Sequence, residues 1–425
     1  MRNKGYDLIR EQVFSEKLEN GLSVFVIPKR GYNKSYAFFA TDYGGADRRF
    51  KLGGNWIDTP MGVAHFLEHK MFDTKDGNAL TDLSANGASP NAFTSSDITA
   101  YHFESTEKFE ENLEILLSFV SIPYFTPESV QKEQGIIGQE IRMTEDEPDY
   151  AVYYGLMKAL YKHNPLRDSV AGTVESIAQI TADTLYNCHN VFYNPSNMVL
   201  CVTGDVDPEK IVAAARRILP KEPGEVPQRD YGPAESQVPE TKRAEQKMEV
   251  SIPIFLMGAK AVPVKDGRDY FRQELVGALA LDILAGHSSP LYLQLYGQGL
   301  VNSGFSAAYE SAAGAFYTMA GGESSDPDKV FKLYKAEAKR LADRGVDTTL
   351  FDRLKKAMTG RQIRMLNSFD SICYNYAQGY FRGYDAYEAV DILNAVTPED
   401  VVSFIRTNLA PDNLALSIIS PYQTA

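Results

Sequence analysis

Two histidines and a glutamate lie close together early in this sequence and have the residue types needed to bind and use a metal ion. His65 and His69 are four residues apart, with Glu68 between them, in the order H-x-x-E-H. On a helix this spacing places both imidazoles on one face, with Glu68 beside them. Zinc favours such ligands, and a catalytic zinc site keeps one position for water. The order is the inverted form of the common zinc-peptidase helix motif.

A single histidine is more often an ordinary surface or core residue than a metal ligand. Here, however, two of only 6 histidines flank one glutamate at helical spacing. This arrangement is uncommon by chance, so the pattern favours a zinc site in which Glu68 acts on a bound water. Two histidines do not complete such a site, and a third ligand must come from elsewhere in the chain.

Carboxylates further along the chain are candidates for the third ligand. Glu133 and Glu140 are seven residues apart, and they share one face of a helix predicted to begin at Thr126 and to run to about Asp146. Any one of the 56 acidic residues is usually a solvated surface group. The spacing alone favours neither Glu133 nor Glu140 as the ligand.

The elements that must position these side chains can be predicted from local patterns. Thr59 is suited to cap the motif helix and Pro60 to its first turn, and the helix should stop by Gly77. Asn20-Gly21 between two apolar runs predicts a β-hairpin over residues 13–29. The other predicted strands cover residues 36–41, 91–94, 99–103, 198–203, 250–260, 305–309 and 315–320. The other predicted helices cover residues 79–85, 109–120, 149–162, 181–191, 269–285, 327–343 and 348–365.

A proline-rich stretch and an internal repeat divide the chain. Residues 220–246 are polar, contain repeated prolines and lack hydrophobic periodicity, which is typical of a linker. Residues 181–200 and 397–416 align without a gap, and both pass from a helical to a strand pattern. We therefore expect two related α+β domains, residues 1–219 with the metal motif and residues 247–425 without it.

Composition limits the classes of protein to consider. The 425 residues are enough for two domains, and 44% hydrophobic with 23% charged residues is typical of a soluble globular protein. A net charge of −13 argues against a nucleic-acid partner. Residues 1–7 lack a signal-peptide core, and no apolar run reaches membrane-spanning length. With 3 scattered cysteines there is no disulfide framework, so we expect a reducing cytoplasm.

The combined motifs resemble the pitrilysin family of zinc peptidases, the inverzincins, which includes insulin-degrading enzyme and the mitochondrial processing peptidase. The resemblance covers nearly the whole chain and is closest to the bacterial members of two domains. It rests on residues 65–69, 87–94, 133, 140 and 195–205. It implies an α+β fold in which each domain is a mostly antiparallel sheet packed with helices, and the two domains form half of a clamshell.

The resemblance also implies roles for individual residues. Glu140 matches the family's third zinc ligand, and Glu133 matches a carboxylate that supports a ligand from behind. The strand containing Asn91, Ala92 and Phe93 resembles the edge strand that pairs with an extended peptide substrate, a mode that reads main chain rather than sequence. An ordinary sheet strand remains the alternative for that stretch.

One family motif is altered in the second half. In this family, a half that bears the zinc motif usually pairs with a domain that carries L-R-E-x-x-G-L-x-Y. The Arg and Tyr of that motif contact the substrate near the zinc. Here residues 295–302 place Tyr296 at the Arg position and Asn302 at the Tyr position, with one residue lost between them. We therefore expect a heterodimer with a related chain that lacks the zinc motif and carries the Arg and Tyr. A homodimer in which Tyr292 or Tyr296 takes over the contact is the alternative.

The resemblance and the motif together predict a zinc metalloendopeptidase. His65, His69 and Glu140 would hold one Zn²⁺ per chain, and Glu68 would act as general base towards the water. The substrate would be a peptide or unfolded segment, processed or degraded inside a closed chamber. Two alternatives remain, a non-catalytic scaffold subunit of the same fold and a different zinc hydrolase such as an amidase.

Overall fold

The computed structural model describes residues 1–265 and 267–422, which form alternating strands and helices. The strands are β1 (Arg2–Tyr6), β2 (Glu11–Lys17), β3 (Ser23–Pro28), β4 (Ser35–Thr41), β5 (Arg49–Leu52), β6 (Asn55–Asp58), β7 (Asp73–Thr74), β8 (Gly77–Asn78), β9 (Ser89–Thr94), β10 (Thr99–Ser105), β11 (Met198–Gly204), β12 (Gln228–Arg229), β13 (Arg243–Met248), β14 (Ile254–Lys260), β15 (Ser306–Ala312), β16 (Ala315–Glu323) and β17 (Leu414–Pro421). The helices are α1 (Val63–Met71), α2 (Ala79–Ala85), α3 (Phe109–Ser121), α4 (Pro127–Glu145), α5 (Pro148–Leu160), α6 (Val174–Ile177), α7 (Ala182–Phe192), α8 (Pro208–Ile218), α9 (Arg268–Ala285), α10 (Pro290–Gly297), α11 (Pro327–Arg344), α12 (Thr348–Met365), α13 (Phe369–Arg382), α14 (Ala389–Ala395) and α15 (Pro398–Asn408).

The chain forms two compact units, and each is assembled from separate stretches of sequence. The first unit contains Met1–Ile141, Ser169–Asp230 and Ile363–Tyr387. The second contains Arg142–Asp168, Tyr231–Gln362 and the residues from Glu388 onward. These units differ from the contiguous ranges 1–219 and 247–425, since α5 belongs to the second unit and α13 to the first. An amphipathic pattern predicts that a helix is buried on one side, but not which sheet buries it.

A seven-stranded sheet organises the first unit, in the order β1-β2-β3-β11-β4-β10-β9. The predicted hairpin over residues 13–29 is present as β2 and β3, which pair antiparallel with Phe14 opposite Val26. One sheet face packs against α1, α3, α4, α7 and α8 in the larger core. The other face packs against α13, whose inward side chains are Phe369, Ile372, Cys373, Tyr376 and Ala377. The sheet is therefore covered on both faces, and β9 lies at one edge.

The second unit has a five-stranded sheet in the order β13-β17-β14-β16-β15. Helix α5 packs against this sheet, with Val152 in contact with a small core that contains Met248 and Ile419. Most strand pairs are antiparallel, while β13 and β17 run parallel. This arrangement agrees with the predicted class of mostly antiparallel sheets packed with helices.

The internal repeat corresponds to the same structural unit in both halves. Thr181 and Thr397 each form a capping box at the start of an 11-residue helix, α7 or α15. Each helix is followed by a short 3₁₀ turn that begins at proline, Pro195 or Pro411. The chain then enters an interior strand of its sheet, β11 or β17. The predicted pairing of two related helix–strand units is confirmed.

The start of the motif helix was predicted incorrectly. Helix α1 begins at Val63, and its N-cap is Gly62 with a φ of 92° rather than Thr59. The N–H and hydroxyl of Thr59 both donate to the Arg48 carbonyl, at 2.8 and 3.2 Å, so Thr59 ends the β6 segment instead. The predicted cap at Thr126 is confirmed, because its hydroxyl oxygen accepts from the Ser129 N–H at 3.1 Å.

Candidate metal centre

Helix α1 brings the two motif histidines together. Phe66 and Leu67 are fully buried in the core of the first unit and fix the rotation of the helix about its axis. His65 and His69 therefore share one face, with ring centroids 4.6 Å apart and ring planes at 65°. The Nδ1 atom of His65 is buried and has no hydrogen-bond partner among the described residues, while its Nε2 atom faces a carboxylate.

That carboxylate is Glu140 on α4. Its Oε1 lies 3.5 Å from His65 Nε2, and its Oε2 lies 3.5 Å from His69 Nε2. Helix α4 buries Val130, Ile137 and Ile141, and this orientation directs Glu140 to α1. Within residues 1–265 and 267–422, these three are the only His, Cys, Asp or Glu donors grouped closely enough for one ion, with donor atoms within 4.8 Å of one another.

The spacing and chemistry of these donors fit zinc. Ligands at about 2.0–2.1 Å from a tetrahedral ion lie about 3.3–3.4 Å apart. The observed nitrogen-to-oxygen separations of 3.5 Å are within a small side-chain adjustment of that value. Two imidazoles and one carboxylate are also the ligand set of many catalytic zinc sites with a remaining open position. The structure thus brings together the two histidines of the motif and Glu140, the residue that the family resemblance indicates as the third ligand.

Glu133 occupies a different place from Glu140. Its Oε1 lies 3.1 Å from Nδ1 of His69, on the far side of the imidazole from Glu140. A carboxylate on Nδ1 fixes the tautomer that leaves Nε2 free to bind metal. Lys70, only 1% exposed, lies 4.0 Å from Glu133 and also pairs with Asp73. Lys70 was missed by sequence reasoning, although a lysine next to the motif within an apolar helix face is a signal.

Burial, hydrogen bonds and nearby charges shift the pKa values of His69 and Glu140. Burial lowers the pKa of His69, but the hydrogen bond with Glu133 and the charges of Glu68, Glu140 and Glu133 outweigh it, so the net shift is upward. The hydrogen bond with His65 and the charges of both histidines lower the pKa of Glu140 in spite of its partial burial. The cluster is therefore rich in negative charge, as a cation site requires.

Glu68 lies beside the ligands and is held by a residue that the sequence reasoning missed. The Thr94 hydroxyl donates to Glu68 Oε2 at 2.7 Å. Thr94 is the last residue of β9, two positions after Ala92, so both side chains point to the same sheet face. Because side chains alternate between the two faces of a strand, the position of Thr94 two residues after Ala92 was the signal that could have identified it.

The predicted substrate-binding residues lie on β9, an edge strand that pairs with β10 on one side. Asn91 is exposed, and its Oδ1 accepts from the Ala92 N–H at 2.9 Å. Ala92 packs against the core that contains α1, whereas Phe93 packs on the opposite sheet face beside Tyr374, with ring centroids 6.0 Å apart. The structure thus brings Ala92, but not the Phe93 side chain, to the sheet face that carries the candidate metal ligands.

In the second unit, the altered motif is only partly available for contacts. Tyr296 is 54% exposed, while Tyr292 is 7% exposed and stacks on His287. The Asn302 amide donates to Glu323 Oε2 at 2.6 Å, and its Oδ1 accepts from the Gly304 N–H at 2.8 Å. Both ends of the Asn302 side chain are therefore engaged, one by its own loop and the other by the end of β16.

Comparison with known proteins identifies the family. Residues 54–174 match the family model described as insulinase (peptidase family M16), and residues 179–358 match the M16 inactive domain. The chain is 39% identical over 423 residues to YmfH of Bacillus subtilis strain 168, an uncharacterized zinc protease, and the match covers 98% of each protein. This chain belongs to peptidase family M16. The predicted membership of the pitrilysin family is confirmed.

Solved structures of M16 proteins have the same fold. An M16-like peptidase from Alicyclobacillus acidocaldarius is 34% identical and superposes with a TM-score of 0.93, covering 97% of this chain and 99% of that chain. An M16 inactive domain from Pseudomonas fluorescens, at 17% identity, has a TM-score of 0.81 over 97% of this chain and 98% of its own. The second likeness concerns the fold alone. Together they confirm the predicted fold class, the two-domain α+β half of an M16 peptidase.

None of the helices in the described part of the chain is both long and apolar enough to cross a membrane.

Proposed function

We propose that this M16 protein is a zinc-dependent endopeptidase that hydrolyses peptides or unfolded segments. The observation that carries the proposal is the convergence of His65, His69 and Glu140, whose donor atoms lie within 4.8 Å of one another. Glu68 lies between the two histidines in sequence and is not part of that ligand group. The M16 family membership and the zinc protease relative support the same conclusion.

Each side chain of the site has a distinct task in this proposal. His65, His69 and Glu140 would hold Zn²⁺, which when bound supplies a Lewis acid that polarises the scissile carbonyl and makes water more acidic. Glu68 accepts a proton from the attacking water and delivers it to the leaving amine. Glu133 keeps His69 in the tautomer that binds metal through Nε2, supported by the 3.1 Å contact at Nδ1.

The substrate-docking part of the proposal rests on β9. This strand has no neighbour on its outer side among the described residues, and an extended peptide can add there as a further strand. Such pairing uses main-chain hydrogen bonds and requires the substrate to be unfolded locally. Asn91, Ala92 and Phe93 remain the proposed contact residues, with Ala92 on the face that carries the metal ligands. Peptides, rather than folded proteins, are the substrate class that we propose.

A fluorogenic peptide assay tests this function directly. The full chain loaded with zinc should cleave the peptide, lose activity with a chelator, and regain it when zinc is added back. A scaffold subunit would bind zinc without turnover, whereas an amidase would leave internal peptide bonds intact and attack a terminal amide. The intact ligand set disfavours the scaffold, and turnover unaffected by chelation would contradict the proposal.

For the working assembly, we propose a heterodimer in the bacterial cytoplasm with a related chain. The partner would lack H-x-x-E-H and carry the Arg and Tyr that residues 295–302 lack here. The engagement of Asn302 with Glu323 supports this proposal, because it leaves that side chain little freedom to replace a tyrosine. A homodimer that uses the exposed Tyr296 is the alternative.

A further inference from the structure

We propose that Thr94 is a positioning residue that holds the general base Glu68 and links its orientation to peptide docking on β9. This inference rests on the proposed peptidase function and extends it to a residue outside the H-x-x-E-H motif. It is supported by a side-chain hydrogen bond and by the alternation of side chains along β9.

The hydrogen bond has a defined direction. The Thr94 Oγ1 lies 2.7 Å from Glu68 Oε2, and an ionised carboxylate can only accept, so the threonine donates. Thr99 is fully buried, donates to the Tyr43 carbonyl at 2.9 Å, and places its Oγ1 3.3 Å from that of Thr94. With its one hydrogen on the Tyr43 carbonyl, Thr99 gives Thr94 no hydrogen bond, but this buried contact limits the positions that the Thr94 hydroxyl can take. Fixing Oε2 of Glu68 in this way leaves Oε1 to meet the water.

The position of Thr94 in β9 connects the base to the docking strand. Pro90 has no N–H, and the Ala92 N–H donates to Asn91 Oδ1, so the main-chain groups of residues 90, 92 and 94 face away from β10. Of these groups, the carbonyls of residues 90, 92 and 94 and the Thr94 N–H can pair directly with an added peptide strand, whereas the Ala92 N–H can do so once the Asn91 side chain turns away. Thr94 thus offers its main chain to the docked peptide and its hydroxyl to Glu68. Pairing of a peptide with β9 would restrict Thr94 and thereby restrict the carboxylate.

A kinetic experiment separates positioning from binding and from folding. Thr94→Val keeps the side-chain shape and removes the donor, and we expect kcat to fall about 10- to 100-fold, with KM within about threefold and zinc content unchanged. Thr94→Ser retains the donor and should restore kcat to within about threefold of the parent. The matched control is Thr203→Val, which removes a buried hydroxyl that donates to the Ile27 carbonyl elsewhere in the same sheet. It should lower the melting temperature without changing kcat.

A second measurement needs neither zinc nor turnover. In metal-free protein, the unfolding free energies of Glu68→Ala, Thr94→Val and the double variant form a thermodynamic cycle. Non-additive effects are expected, since each single variant already removes the hydrogen bond. Additive effects would show that the contact is not made and would overturn the inference, as would a Thr94→Ser variant as slow as Thr94→Val. A zinc-loaded parent that cleaves no peptide, either alone or mixed with the partner chain, would instead contradict the proposed function and, with it, the positioning role.

Discussion

At the scale of single residues, the candidate metal centre has four charged side chains around one imidazole pair, and each makes a different contact. Glu140 contacts the Nε2 atoms of both histidines, and Glu133 contacts Nδ1 of His69 from the other side. Glu68 is turned to Thr94, and the buried Lys70 supports Glu133. In the function that we propose, carboxylates of the same chemistry therefore act as ligand, base or support according to the atom that each one faces.

Replacing the proposed base should separate metal binding from catalysis. Glu68→Gln keeps the shape of the side chain but cannot accept a proton, so peptide cleavage should fall by about 10²- to 10⁴-fold or more. Zinc content, measured by metal analysis of the purified protein, should match the parent because Glu68 lies outside the ligand group. Near-normal turnover by the zinc-loaded variant would show that another group is the base.

The two glutamates of α4 should differ in their effect on zinc. Glu140→Gln removes a charged ligand atom and should lower zinc occupancy strongly, whereas Glu133→Gln should weaken zinc binding by about 10- to 100-fold at most. Competition of both purified variants with a chelator of known affinity measures the order. If the losses are equal or reversed, Glu133 also binds the ion or is the ligand in place of Glu140.

At the scale of elements, the motif helix depends on a glycine that the cap prediction overlooked. Gly62 has a φ of +92°, and a Cβ there would lie 2.6 Å from the Ala171 carbonyl oxygen. Backbone at residues 171–172 therefore closes over the start of α1 and leaves room only for glycine. The helix is positioned by this close approach as well as by its buried apolar face.

Gly62→Ala should destabilise the protein and disturb the zinc site. We expect a loss of about 2–4 kcal/mol in unfolding free energy, from the strained φ and the displaced backbone together. Gly31→Ala is the matched control, because Gly31 has a φ of +80° with nothing within 4 Å of the added Cβ. It should cost only about 1 kcal/mol. Urea unfolding of both variants tests the difference, and equal losses would mean that the contact with Ala171 relaxes freely.

At the scale of the whole molecule, each compact unit takes one helix from the opposite half of the sequence. Helix α5 completes the second unit and α13 completes the first. Arg382 at the end of α13 pairs with the buried Asp97 of the first unit, and Phe369, Ile372 and Cys373 fill its second core. The two halves of the chain are therefore interdependent for folding, which a division at the proline-rich linker would not suggest.

The assembly that we propose can be tested by reconstitution. The chain alone, although loaded with zinc, should cleave peptides slowly, and a related chain that carries the Arg and Tyr should raise the rate on mixing. A phenol at Tyr296 cannot supply the charged fork of a guanidinium. Size analysis and co-purification from the native host measure the partner and the stoichiometry. Full activity of a homodimer would contradict the heterodimer, and loss of that activity in Tyr296→Ala would then assign the contact to Tyr296.

Local patterns in the sequence were sufficient to predict the histidine pair, the strands β2, β3, β4 and β10, and the repeated helix–strand unit. Each of these depends on residues within about one helical turn, one strand or one tight turn of each other. The shared face of Glu133 and Glu140 was also readable from their spacing. The choice of Glu140 as ligand came from family resemblance, since spacing treats the two glutamates alike.

Tertiary contacts decided the features of the site and of the fold that local patterns did not predict. The atom of His69 that each glutamate faces, the hydroxyl of Thr94 on Glu68, and the close approach of Ala171 to Gly62 all join residues distant in sequence. The exchange of α5 and α13 between units has the same origin. The sequence of an amphipathic helix shows that one side is apolar and will be buried, but more than one sheet of the chain could cover that side. Only the packed structure selects which surface it covers.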